Sequence, residues 1–252
     1  MPQVRARKGG YPCGVIVHLN GELLPRDAAR ISPFDRGFLF GDAIYEGLRS
    51  ITSPVGTNAN GLAHRSGARC VGLDLHIARL RSGLAEARIA CGDWDPNSLG
   101  QLTDDLLHAN GMRDAFVYWQ FSRGTPSGDE PLRQRIPPAA GLRNGLTVFG
   151  FCSPQPQLGE LQKAGPVSKR CASITDPRWS MGHMKSSSLM GNVISAIESD
   201  ARGGDDAILV RDGYVVEGLA TNVIVVTHDG ELVTPSLNSA CLLYTSDAAD
   251  EG

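Results

Sequence analysis

The chain has 252 residues, 41% hydrophobic and 20% charged, so it carries enough apolar side chains to bury one large core or two modest ones, and disordered or collagen-like composition is excluded. Its 24 basic residues, 20 Arg and 4 Lys, are scattered and outweighed by 27 acidic ones, and a net charge of -3 gives no nucleic-acid or anionic-membrane footprint. Six cysteines without a Cys-x-x-Cys pair or a metal-ligand spacing read as reduced thiols, so no metal site is expected, and with no signal peptide or membrane-length apolar run the expected location is cytoplasmic.

Residues 15–19 and 22–24 flank Asn20-Gly21, the dipeptide that best tolerates the positive φ angles of a type I′ turn, so the fold is expected to open with a β-hairpin. Residues 43–51 read as a strand, and the Gly-, Pro- and Ser-rich stretch 53–69 as a surface loop or insertion. Leu73, Ile77, Leu80, Leu84 and Ala87 recur at spacings of four and three, which predicts an amphipathic helix with Asp74 as N-cap. A second helix is expected over 98–110, stopped by Asn110-Gly111, with strands at 115–122 and 146–152. Pro154-Gln155-Pro156 marks a junction near 153–160. Beyond it, Leu189, Val193, Ala196 and Ile197 mark a helix ended by Gly203-Gly204, and a three-strand meander is expected at 207–211, 214–217 and 222–227.

Three residues could do chemistry. Lys185 stands between a Trp-containing loop and an apolar helix, and a lysine that forms a Schiff base must be kept out of bulk water so that its amine deprotonates near neutral pH. A solvated lysine at a helix start is the plain alternative. Glu217 ends a strand before Gly218 and could be an ordinary exposed strand residue; Arg79, three residues after His76, could sit on a solvated helix face.

Taken together, the words around these residues are specific. The run Ile31-Ser32-Pro33-Phe34-Asp35-Arg36-Gly37-Phe38-Leu39-Phe40-Gly41-Asp42-Ala43-Ile44-Tyr45-Glu46, then His76-Ile77-Ala78-Arg79-Leu80, then Lys185-Ser186 with Leu189 and Asn192-Val193, then Glu217-Gly218 with Thr221-Asn222-Val223, resembles the class IV pyridoxal-phosphate aminotransferase family, of fold type IV. The likeness runs over about 14–235, with the motifs in the family's order. Asp176-Pro177-Arg178-Trp179, Val117-Tyr118-Trp119-Gln120 and Arg123-Gly124 are most similar to the D-amino-acid aminotransferase branch.

The resemblance implies an α+β, two-domain fold: a small α/β domain over 14–152 and a larger, β-rich cofactor domain beginning at 153–240. It implies pyridoxal 5'-phosphate as cofactor, with Lys185 holding it and moving the substrate proton, Glu217 facing the pyridine nitrogen, Arg79 on the phosphate, Asn222 supporting the cofactor strand and Tyr45 near the substrate carboxylate. Amino acid and 2-oxo acid substrates and a homodimer are implied, with no nucleic-acid or membrane partner. Branched-chain or (R)-amine aminotransferases and aminodeoxychorismate lyases share the scaffold. In the D-amino-acid branch an Arg-x-His unit after Arg-Gly-Thr grips the carboxylate. Here Arg123-Gly124-Thr125 runs into Pro126-Ser127-Gly128, and the nearby cations are Arg133 and Arg135. After Val233-Thr234-Pro235 the family's Gly-Ile-Thr phosphate loop does not follow. Residues 241–252 resemble a transposase sequencing adapter read as protein, so a non-native tail on an inactive, truncated fragment is expected.

Overall fold

The structure, a computed structural model, describes residues 14–53, 65–138, 140–178 and 184–235. It opens with β1 (Ile16–Leu19) and β2 (Glu22–Pro25), an antiparallel hairpin whose two turn residues have φ of 50° at Asn20 and 93° at Gly21, as the dipeptide predicts. A short helix, α1 (Arg36–Phe40), is capped by the Asp35 carboxylate, which accepts from Gly37 N at 2.8 Å, and stops at Gly41 with φ of 65°. There follow β3 (Ala43–Thr52), β4 (Ala68–Cys70), α2 (Leu73–Glu86), α3 (Leu99–Ala109), β5 (Ala115–Ser122) and β6 (Thr147–Pro154). These six strands form one antiparallel sheet in the order β2-β1-β6-β5-β3-β4.

Strand alternation decides which side of this sheet is the core. Ile44 and Leu48 on β3, and Val117, Trp119 and Phe121 on β5, point inward and bury against Leu80 and Leu84 of α2 and Leu99, Leu106 and Leu107 of α3. The Trp119 indole N–H donates to Thr103 Oγ1 at 3.0 Å, so the largest core side chain leaves no polar atom unsatisfied.

After α4 (Leu158–Ala164) the chain enters a second, three-stranded sheet: β7 (Cys171–Thr175), then α5 (Met190–Ala201), then β8 (Asp206–Arg211) and β9 (Tyr214–Gly218). β7 and β8 are parallel, which demands a crossover, and α5 lies in that crossover. β10 (Val225–Val226) and β11 (Leu232–Val233) make a separate antiparallel pair. No helix among the described residues is long and apolar enough to cross a membrane.

The structure departs from the sequence reading in four places. Gly72, with φ of 57°, is the N-cap of α2 and Asp74 sits inside its first turn, where a carboxylate complements the helix dipole instead of capping it. Residues 68–69, assigned to a surface loop, belong to β4, while 54–64 of that loop lie outside the described residues. The third strand of the meander shrinks to Val225–Val226 and pairs with β11; after β9 the Gly218 N–H is taken by Thr221 O at 2.8 Å, a tight turn that carries the chain off the sheet. β7 itself, α1 and α4 carry too little periodicity to be anticipated. The tail at 241–252, expected to be non-native, lies outside the described residues.

Candidate active site

The described part of the segment between β7 and α5 pairs with the first sheet at the start of β3. Tyr45 N donates to the Lys185 carbonyl at 2.9 Å, Ser187 N donates to Ala43 O at 3.0 Å, and Ile44 and Ser186 form an antiparallel bridge. β4 pairs with β3 only at residues 50–52, so the lysine segment occupies the stretch of β3 edge that β4 leaves uncovered. Lys185 is thereby held 3% exposed, with Nζ 4.5 Å from the centroid of the Tyr45 ring. The amine is thus out of bulk water and against an electron-rich face, which overturns the plain alternative of a solvated helix-start lysine.

Tyr45 is itself buried and stacks on Tyr118, its ring 5.5 Å away, and Tyr118 in turn packs on Phe151 at 5.2 Å. Burial pushes the Tyr118 phenol up to about 12, so it stays a donor, and it donates to Gln120 Oε1 at 2.9 Å. The face of the sheet opposite the helices is therefore aromatic next to the lysine.

Glu46 follows Tyr45 and so points the other way, into the core between Ile44 and Leu48, with no exposed area at all. It meets Arg79 and His76, which share a face of α2 at i,i+3 spacing. Arg79 Nε donates to Glu46 Oε1 at 2.9 Å, Arg79 Nη2 to Oε2 at 2.7 Å, and His76 Nδ1 lies 2.8 Å from Oε2. Burial pushes the Glu46 carboxyl up, but Arg79 and His76 outweigh it and hold the group below the usual carboxylate range. Arg79 therefore does not ride a solvated helix face: its side chain is 13% exposed.

Glu217, on β9 opposite Leu209, is also buried rather than exposed, and it accepts from Arg178 Nη1. Arg178 is gripped a second time by Asp176, which accepts from its Nε and Nη2 at 2.8 Å each, and Asp176 accepts from Arg211 Nη2 at 2.7 Å. Burial raises the Asp176 carboxyl and the Arg178 and Arg211 cations lower it, with the net result below the usual range. For Arg178 burial works against the cation, and Asp176 and Glu217 more than restore it. Arg211, Asp176, Arg178 and Glu217 are thus joined in one run of alternating charges.

A recess of about 260 Å³ lies between the two halves of this arrangement, with Tyr45 on one wall and Leu189, Val193, Ala196 and Leu219 on the others. Asn192 Nδ2 donates to Leu219 O at 2.9 Å and ties α5 to the turn that follows Glu217. Asn222, just past that turn, has a buried Oδ1 with no hydrogen-bond donor among the described residues.

Of the residues singled out in the sequence, Tyr45 and Lys185 are thus in direct contact, Arg79 is tied to the same strand through Glu46, and Glu217 stands two residues before the wall residue Leu219. The Asn222 side chain is bonded to none of them. Arg123 is withdrawn from any role on a substrate carboxylate: its Nε and Nη2 donate to Asp42 at 2.8 and 3.0 Å and Nη2 also to Ala87 O at 2.9 Å. Arg36 Nε donates to Asp42 Oδ2 at 2.7 Å, the oxygen that also accepts from Arg123 Nε, and Arg36 donates as well to the carbonyl of Gln134, pinning the segment that carries Arg133 and Arg135. Two residues of the site escaped sequence reasoning, Glu46 and Arg178. The signal for Glu46 was an acid at an inward position between Ile44 and Leu48, which can be buried only with a cation.

Comparison with known proteins gives a family and a fold. Residues 63–245 match the family described as amino-transferase class IV. The D-alanine aminotransferase of Bacillus licheniformis is 32% identical over 209 residues, a match that covers 83% of this chain and 64% of that protein, so the chain spans less than two thirds of this relative's length. Among solved structures, the branched-chain aminotransferase of Thermoproteus uzoniensis with norvaline superposes with a TM-score of 0.68 at 20% identity, over 90% of this chain and 69% of that one. A hypothetical aminotransferase from Mycobacterium tuberculosis, in its PLP-bound form, does so with a TM-score of 0.65 at 18% identity, over 89% and 72%. At these identities the two structures establish a shared fold, that of fold type IV.

Proposed function

This chain belongs to the class IV aminotransferase family, and from that premise we propose that the protein moves an amino group between an amino acid, of the D series, and a 2-oxo acid with pyridoxal 5'-phosphate as cofactor. The observation that carries this reading is the burial of Lys185 against the ring of Tyr45, a residue that lines the recess. The side chains present suit the cofactor. Lys185 offers a buried amine, Glu217 a buried carboxylate paired with Arg178, and Asn222 a buried acceptor without a donor among the described residues.

When bound, pyridoxal phosphate supplies an electron-accepting ring that stabilises negative charge at the substrate α-carbon. Lys185 Nζ would hold the cofactor and would be the group to carry the proton taken from that carbon. The Glu217 carboxylate, paired with Arg178, would face the ring nitrogen and favour a proton there. Arg79 would anchor the phosphate, and Asn222 would brace the strand end on the cofactor side. Tyr45, with Tyr118 behind it, walls the substrate side and keeps water from the amine. Residues 14–152 act as a lid domain over a cofactor domain that begins at 153, in a cytoplasmic homodimer whose second copy completes the pocket.

The donor is tested by incubating the cofactor-loaded protein with 2-oxoglutarate and either D-alanine or L-leucine. Transfer from D-alanine supports the reading, and no transfer from either overturns it. A branched-chain donor is the second reading, favoured by the apolar walls Leu189, Val193 and Leu219, and transfer from L-leucine alone would select it.

A further inference from the structure

We propose that Gln120 reads the substrate side chain and that the site takes an uncharged carboxamide there in preference to a carboxylate, an inference that rests on the reading of the protein as an aminotransferase for D-amino acids. Gln120 on β5 stands directly opposite Tyr45 on β3 and Phe149 on β6, so the three share the sheet face that carries the lysine contact. A cavity of about 500 Å³ is lined from that face by Gln120 and Phe149, and it reaches Ser187, two residues past Lys185.

The polar groups of this cavity suit a guest that both accepts and donates. Gln120 Oε1 accepts from the Tyr118 hydroxyl at 2.9 Å, which leaves two hydrogens on Nε2, and Nε2 has no acceptor among the described residues. It lies on the side of Gly37, another lining residue, where an added Cβ would come within 3.3 Å of it. The hydroxyls beside it are committed the other way: Ser122 and Thr147 give their hydrogens to Asp35 Oδ2 at 2.9 and 2.6 Å, so what they have left to offer is oxygen lone pairs. No Lys or Arg is among the described residues that line the cavity, and Asp35, 2% exposed, adds a carboxylate to its wall. A second carboxylate entering here would meet one donor group and no cation, which makes it costlier to bury than the isosteric amide. A carboxamide gives its oxygen to Nε2 and its N–H groups to the hydroxyl oxygens.

The test compares D-glutamine with D-glutamate, which differ only in that group. The cofactor-loaded protein is mixed with each amino acid without any 2-oxo acid, and the single-turnover reaction is followed by the absorbance of the cofactor, with D-alanine as reference donor. The second-order rate constant for D-glutamine should exceed that for D-glutamate about tenfold or more, the order of one hydrogen-bonding group left unpaired. Equal constants, or the faster reaction with D-glutamate that a cation from the second copy would give, overturn the proposal. Gln120→Leu should bring the ratio of the two constants close to one, and Gln120→Lys, which adds a cation, should invert it. A ratio unchanged in Gln120→Leu would remove Gln120 as the reader and overturn the proposal; if that variant does not fold, Gln120→Lys and the unmutated protein still decide. Reaction with D-alanine but with neither longer donor would overturn the inference and leave the aminotransferase reading standing. No reaction with any of the three would overturn both.

Discussion

The backbone N–H of Tyr45 holds the carbonyl of Lys185 at 2.9 Å while Lys185 Nζ rests 4.5 Å from the centre of the Tyr45 ring. One residue thus fixes both ends of the other. The lysine's place is set by the first sheet rather than by the helix that follows it.

Lys185→Ala should abolish a borohydride-reducible link to pyridoxal phosphate, read as loss of the cofactor mass from the intact protein after reduction. Lys163 and Lys169, the other lysines among the described residues, lie outside this contact, and a variant that still gained the mass would move the assignment elsewhere.

Arg178→Met should destabilise the protein by about 3–5 kcal/mol, because it leaves Glu217 and Asp176 buried without their shared cation. Urea denaturation followed by circular dichroism measures this. The double variant Arg178→Met with Glu217→Gln should recover part of the loss, and a double variant no better than the single one would deny the coupling.

Acid should unfold the protein in a way that Asp42 controls. Burial raises the Asp42 carboxyl, but Arg123 and Arg36 outweigh it and hold the group below its usual value of about 3.9. A depressed carboxyl stabilises fully above its unfolded value and loses that contribution as pH falls through the folded one, so the urea midpoint should hold near neutrality and fall below about pH 4. Asp42→Asn should start from a lower midpoint at pH 7 and show a shallower fall. An identical pH profile would remove Asp42 from the account.

Gly150→Ala should cost about 1–3 kcal/mol without touching the recess, because a Cβ there would meet Trp119 Cε3 and Cζ3 at 2.5 Å and Trp119 has no exposed area in which to retreat. Differential scanning calorimetry gives the measure; an unchanged Tm would mean the indole can shift.

Much of this was legible in the sequence because local chemistry wrote it. Asn20-Gly21 dictates its turn, Leu80 and Leu84 their helix face, and β5 falls at the expected 115–122, a run rich in aromatic and β-branched residues. The site lysine and its partners were found through whole motifs, since a lone Lys or Glu carries no sign of its burial. What the sequence concealed is pairing at a distance. Nothing near Cys171 says that β7 will lie parallel to β8, and nothing near Arg178 names Glu217 as its partner. Such contacts are chosen by tertiary geometry, which periodicity within a segment cannot report.

The seating of residues 185–187 on β3 also orders events in time. A chain made from its N-terminus presents β3 and β5 long before Lys185 exists, so the edge at residues 43–45 waits with open N–H and C=O groups. Closing it needs a contact between distant parts of the chain, among the slowest a folding protein makes. Until that contact forms, the first sheet offers a docking strand to any other extended chain, and the same step that assembles the lysine seat is the one that withdraws it.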